Sequence, residues 1–249
     1  MDGTIYKGMR PIPGAIDLVR ELNERNVPFV FVTNNSSERR EYYYEKLVEM
    51  GFDVCVENIL TSGIATLEFL RKERQGKTVY FLGTDSYSEE LREYGIEIDD
   101  EDPDIVLLSF DKTITYEKIN KAYQFLKSGA EFIATHPDDL CPTENGYDVD
   151  IGSFIAMFNY LTQRNPIIIG KPNSILLNMA ASAMNVKLNE IAVVGDRLYT
   201  DIKMALNSGV SSILVLTGET SRSDLKNSDL SPTMTLDSVA DIIDNVFSN

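Results

Sequence analysis

Short, continuous apolar runs recur along the chain with helical stretches between them. The runs are Phe29 to Thr33, Thr78 to Leu82, Ile105 to Leu108, Phe132 to Thr135, Ile167 to Ile169, Ile191 to Val194 and Ile213 to Leu216. Most do not alternate with polar residues. A strand that is apolar at every position is buried on both faces, as strands are in parallel sheets. The stretches between them carry helix patterns. Ala15 to Glu24 places Ile16, Val19 and Leu22 on one stripe, and Glu38 to Met50 stops at Gly51. Ser86 with Glu89 forms a capping-box pattern that opens a helix to Tyr94. Tyr116 to Lys127 ends near Gly129, and Asn173 to Met184 and Thr200 to Asn207 follow later. Gly after a periodic run and a Ser three residues before Glu are ordinary stop and start signals. The strand–helix alternation predicts an α/β fold.

The chain divides in two by the position of its polar clusters. The segment 77–165 has strands and helices of its own but none of the motifs described below. Gln75-Gly76-Lys77 and Gln163-Arg164-Asn165-Pro166 read as the crossings. The expectation is a discontinuous core of residues 1–76 and 166–249 with an inserted α/β domain at 77–165. A single large sheet is the simpler alternative.

Charge narrows the partners. Against 23 basic residues stand 39 acidic ones, for a formal net charge of -16. That argues against nucleic acid or an anionic membrane surface as the main partner. A phosphate substrate would need local positive charge, because the overall field repels it. Cys55 and Cys141 have no Cys or His at metal-ligand spacing, so both read as structural thiols of a reducing compartment. No apolar run approaches a membrane span, and no basic-then-apolar leader opens the sequence. The expected location is the cytoplasm.

Chemistry-bearing residues gather where the apolar runs end. Val32-Thr33-Asn34-Asn35-Ser36-Ser37 closes the first run. Hydroxyl, amide and backbone N–H groups ahead of a helix form an anion cradle, so Thr33, Asn34 and Asn35 are candidate phosphate binders. A polar helix cap uses the same residue types, and the segment alone does not decide. Lys171, between Gly170 and Pro172, directly follows Ile167-Ile168-Ile169. As a point charge it can neutralise phosphate and restrain carboxylates. Asp196 and Asp201 flank the junction after Ile191 to Val194. Carboxylates grouped there suit a magnesium ion, with Asp196 a direct ligand and Asp201 acting through water or Lys171. Asp2-Gly3-Thr4 is a common turn tripeptide taken alone. With the other pieces, Asp2 becomes a candidate site residue.

Together these four pieces resemble the haloacid dehalogenase superfamily of phosphohydrolases, in its NagD-like / p-nitrophenylphosphatase branch. The resemblance rests on the stretches Asp2 to Gly8, Ile12 to Ala15, Val32 to Ser37, Gly170-Lys171-Pro172 and Gly195 to Gly209, and extends over essentially the whole chain. It implies a Rossmann-like core with an α/β cap inserted between the second and third motifs. It implies magnesium-dependent hydrolysis of a small phosphomonoester through an aspartyl-phosphate, with the cap selecting the substrate. His136 and Asp138, in Ala134-Thr135-His136-Pro137-Asp138, are then specificity candidates; the branch often has Asn where this chain has His136. A homodimer through the cap is implied by the resemblance alone. In the family's Asp-x-Asp-Gly-Thr motif the nucleophile is the first Asp, which falls one position before Met1; the resemblance implies that the second, Asp2, is the acid/base and, through its backbone carbonyl, a magnesium ligand. The expectation is that Met1 is the internal x of that motif. Without the nucleophile's strand the core is expected as two half-sheets. A phosphate-ligand binding protein without catalysis is the competing reading. Sugar phosphates, nucleoside monophosphates and phosphoglycolate-like acids all remain open as substrates.

Overall fold

Ile105, Val106, Leu107 and Leu108 have no exposed surface, as a strand apolar at every position demands. They form one strand of a computed structural model that describes residues 1–143 and 146–247. In chain order, a small hairpin of β1 (Tyr6–Lys7) and β2 (Arg10–Pro11) leads to α1 (Ala15–Glu24), β3 (Phe31–Thr33), α2 (Arg40–Glu49), β4 (Ile59–Thr61) and α3 (Ser62–Glu73). Then come β5 (Val79–Leu82), α4 (Asp85–Glu93), β6 (Ile105–Leu108), α5 (Tyr116–Ser128) and β7 (Glu131–Ala134). A second hairpin, β8 (Leu140–Thr143) and β9 (Gly146–Val149), precedes α6 (Ile151–Thr162) and β10 (Ile167–Ile168). The chain ends with α7 (Ser174–Met184), β11 (Ala192–Gly195), α8 (Lys203–Ser208), β12 (Ser211–Val215), α9 (Arg222–Lys226), β13 (Met234–Leu236) and α10 (Asp241–Val246). The fold is α/β with parallel sheets, as the sequence predicts.

The chain forms two compact units. The first comprises Met1–Val32, Glu41–Leu60 and Lys171–Asn249; the second comprises Thr33–Arg40 and Thr61–Gly170. In the first unit β11, β12 and β13 pair in parallel, while β3 and β4 form a separate sheet whose last residues belong to the second unit. Alternate residues of β12 serve both faces. Ile213 and Val215 pack with Ala15, Leu18, Val19 and Leu47, whereas Leu214 packs with Leu198 and Ile202. Val193 of β11 packs with Leu177 and Ala181 of α7 and with Met204 and Ala205 of α8. Burial on two faces explains why these strands read as continuous apolar runs.

The second unit is a parallel sheet in the order β10-β7-β6-β5. Tyr80, Val106, Leu108 and Phe132 share one cluster with Ala122 and Leu126 of α5 and Phe158 of α6. The boundaries differ from the expected 76/77 and 165/166. Helix α3 joins the second unit because Tyr87 of α4 is fully buried beside it and donates its hydroxyl to Gly63 O at 2.8 Å. Arg74, the residue after α3, pairs through both Nε and Nη2 with Glu131 of β7 at 2.7 Å.

Two helix starts also differ. α4 is capped by Thr84, whose Oγ1 accepts the Tyr87 N–H; Ser86 lies inside the helix and its hydroxyl turns to Glu38. α2 begins at Arg40, because residues 33–40 run as a strap tied into the second unit rather than as a first helical turn. Ser36 Oγ shares a hydrogen bond with Thr135 Oγ1 at 2.8 Å and accepts from Phe110 N; Thr84 Oγ1 donates to Ser37 O. No helix among the described residues is long and apolar enough to cross a membrane.

Candidate active site

The apolar strand β11 ends in Gly195 and then Asp196, a buried carboxylate held at both oxygens. Thr4 Oγ1 donates to Asp196 Oδ1 at 2.8 Å, and the Glu219 backbone N–H donates to Oδ2 at 2.9 Å. Thr220 N–H also donates to the Asp196 carbonyl at 3.2 Å. This brings residues almost two hundred positions apart into contact. Space for the carboxylate comes from missing side chains. A Cβ at Gly3 would meet Asp196 Cγ at 2.8 Å, and one at Gly218 would meet Asp196 Cβ at 2.5 Å. Gly3 also turns with φ +79, a conformation that glycine adopts without penalty. That turn is closed by Gly3 N–H to Tyr6 O at 2.8 Å and by Thr217 Oγ1 to Gly3 O at 2.7 Å. Asp2, next to it, is exposed.

Lys171 and Asp201 form the second buried element of the first unit. Lys171 Nζ donates to Asp201 Oδ1 at 2.7 Å, with side chains only 8% and 11% exposed. Burial pushes the Asp201 carboxyl up, but the positive charge of Lys171, the hydrogen bond from it and Arg197 outweigh it. The net result lies below the usual carboxylate range. Gly195 leaves the room that Asp201 occupies, since a Cβ there would overlap the Asp201 side chain. Asp2, Lys171, Asp196 and Asp201 all belong to the first unit; Thr33, Asn34 and Asn35 belong to the second.

In the second unit the predicted phosphate cradle makes bonds of its own. Thr33 Oγ1 accepts the Asn35 backbone N–H at 3.2 Å, and Asn35 Oδ1 accepts from Ser37 N and Oγ. The buried Asn34 donates Nδ2 to Asp138 Oδ1 at 3.1 Å. With α2 beginning at Arg40, this segment does not sit on the helix N-terminus that the sequence reading assigned to it. Its polar side chains are drawn instead toward Thr135, Ser109 and Asp138.

His136 is fully buried. With Asp138 and Asp150 it forms the one group among the described residues whose potential ligand atoms lie within 4.8 Å of one another. His136 Nδ1 accepts the Asp138 backbone N–H at 3.4 Å, and the other ring nitrogen is Nε2. That atom has no hydrogen-bond partner; its nearest carboxylate oxygen, Asp150 Oδ1, is 3.7 Å away. The carboxylates of Asp2, Asp196 and Asp201 form no such trio. The sequence reading has Asp2 act through its carbonyl and Asp201 through water, which does not require one.

Sequence reasoning missed the loop Thr217-Gly218-Glu219-Thr220, which supplies two donors to Asp196 and one to Gly3. Its signal was present: a glycine two residues past an apolar run, where a backbone comes close to another group.

Comparisons with known proteins identify the family. The family model for haloacid dehalogenase-like hydrolases matches residues 1–97, and a HAD-hydrolase-like model matches 168–242. An acid sugar phosphatase of Staphylococcus saprophyticus is 35% identical over 98% of this chain and 94% of its own length. A 5'-nucleotidase of Bacillus subtilis is 34% identical over 98% of this chain and 95% of its own. The crystal structure of a 4-nitrophenylphosphatase from Thermotoga maritima superposes with a TM-score of 0.95 at 41% identity, covering 99% of this chain and 95% of that one. The chain belongs to the haloacid dehalogenase-like hydrolases, within the branch that holds the NagD and p-nitrophenylphosphatase proteins.

Proposed function

We propose that this phosphatase hydrolyses a small phosphomonoester with magnesium through an aspartyl-phosphate. The observation that carries the reading is the Asp196 carboxylate, buried at a strand end and fixed by the Thr4 hydroxyl and the Glu219 amide beside the Asp2-Gly3 turn. Such oxygens are hard donors, and each keeps a lone pair beyond the hydrogen bond it accepts. The residues therefore fit magnesium, with Asp196 and the Asp2 carbonyl as ligands and Asp201 acting through water. When bound, the ion would offset charge on the phosphoryl oxygens.

The chain's own groups have separate tasks. Asp2 gives the leaving alcohol its proton as the aspartyl O–P bond forms and the ester O–P bond breaks. It then takes a proton from the water that releases inorganic phosphate. Lys171 neutralises phosphate charge and is itself aligned by Asp201. Thr33, Asn34 and Asn35 bind the phosphoryl oxygens. His136 and Asp138 select the leaving group from a cap near residues 77–165, in a cytoplasmic enzyme that pairs through that cap.

Phosphate release from p-nitrophenyl phosphate, sugar phosphates and nucleoside monophosphates tests this, on the chain with an upstream strand and an aspartate ahead of Met1. Magnesium-dependent turnover is expected, and Asp196→Asn or Lys171→Ala should each lower it on the order of a hundredfold or more. Rates like the parent's in either variant contradict the site. Binding of phosphate esters without turnover in any form would favour a non-catalytic protein.

A further inference from the structure

Three side chains near Asp196 have no task in the mechanism above: Arg197, Tyr199 and Glu219. Arg197 Nε lies 2.9 Å from Glu219 Oε2, and Tyr199 OH donates to Glu219 Oε1 at 2.6 Å. The Arg197 guanidinium carbon is 6.0 Å from the centre of the Tyr199 ring. Both carboxylate oxygens of Glu219 are thus held by residues one and three positions after Asp196. The backbone N–H of that same Glu219 is the donor to Asp196 Oδ2, and Thr220 N–H is the donor to the Asp196 carbonyl. Fastening the side chain of Glu219 therefore fastens the amides that orient Asp196.

We propose that Arg197, Tyr199 and Glu219 are positioning residues: a side-chain latch that holds loop 217–220 closed so that Asp196 presents one orientation to a divalent cation. The inference rests on the reading of Asp196 as a metal ligand. The Arg197 and Glu219 side chains are 15% and 32% exposed, so the pair also steadies the fold, and cation affinity is the readout that separates the two roles. Outer partners of a metal-binding carboxylate act mainly on affinity.

Charge alone predicts the opposite sign at Arg197. A cation close to the ligand repels a divalent ion, so removing it should tighten binding. A latch predicts weaker binding. Mn2+ is the probe, read by the electron paramagnetic resonance signal of the free ion against the 249-residue chain at fixed salt. Arg197→Gln should weaken Mn2+ binding about tenfold. Tyr199→Phe removes one hydroxyl from a half-exposed side chain, leaves the charge unchanged, and should weaken it about threefold. Binding as tight as or tighter than the parent's in Arg197→Gln, or unchanged in Tyr199→Phe, overturns the latch. Asp196→Asn separates the two layers. If the parent binds no Mn2+ that this change abolishes, the magnesium reading falls and the latch with it. If the parent binds and the two variants do not weaken, the latch alone falls.

Discussion

At the scale of single residues, Lys171 and Asp201 set the strongest constraint. Neither charge tolerates burial alone, and the 2.7 Å contact between them makes both tolerable. Replacing Lys171 by Met leaves a buried carboxylate short of its largest stabilising charge, a loss of about 3–5 kcal/mol. The pH dependence of that loss is specific. Asp201 titrates below its ordinary 3.8 in the folded chain, so its contribution is complete above that value and fades as pH falls through the folded one. Chemical denaturation of both forms should therefore show a gap that narrows below about pH 4. A gap of constant size down to about pH 3 would refute the pairing as the cause. Asp196, Asp201 and Lys171 were legible because a charge at the end of an apolar strand stands out in the sequence. Arg197 and Glu219 were not, because their 2.9 Å contact joins two loops that only the parallel pairing of β11 with β12 brings together.

Elements show the same division between local and long-range causes. Helix α1 spans Ala15–Glu24 as its periodicity predicts, since one stripe of apolar residues settles both its phase and its length. Strand β6 likewise matches its apolar run, Ile105–Leu108. The strap at residues 33–40 was not legible as a strap. Its Asn and Ser residues suit a helix start equally well, and the partners that decide, Thr84, Ser109 and Thr135, come from later strands and loops. Helix α3 is the clearest element test. Its tie to α4 runs through Tyr87, whose ring would sit 3.0 Å from a Cβ at Gly63. Tyr87→Ala empties a fully buried site and should cost about 3–5 kcal/mol. Amide exchange should then quicken in α3 together with β5 and α4, while α1 and β12 keep their protection. Loss of protection in α1 and β12, with α3 unaffected, would remove α3 from the second unit.

Over the whole molecule, sequence reasoning recovered an α/β fold but not where its units divide. The backbone passes between them at 32/33, 40/41, 60/61 and 170/171, and only the last lies near a Gly or Pro cluster. The other three fall within or beside strands and helices, where composition does not change. Net charge, by contrast, needs no fold to be read. With 39 acidic against 23 basic residues, the folded chain concentrates an excess of -16 that the unfolded chain spreads out. Self-repulsion of that kind destabilises the compact state and is screened over a Debye length of about 10 Å at 0.1 M salt. Salt also weakens exposed pairs such as Arg20–Asp17, but each of these is solvated and contributes little. Repulsion should dominate the balance. Raising NaCl from about 20 to about 300 mM should increase Tm in a buffer free of divalent ions and phosphate, which would bind the site and stabilise on their own account. Sulfate at equal ionic strength would add its own exclusion effect, so chloride is the cleaner probe. A Tm that falls over this range would mean that the surface ion pairs outweigh the acidic excess.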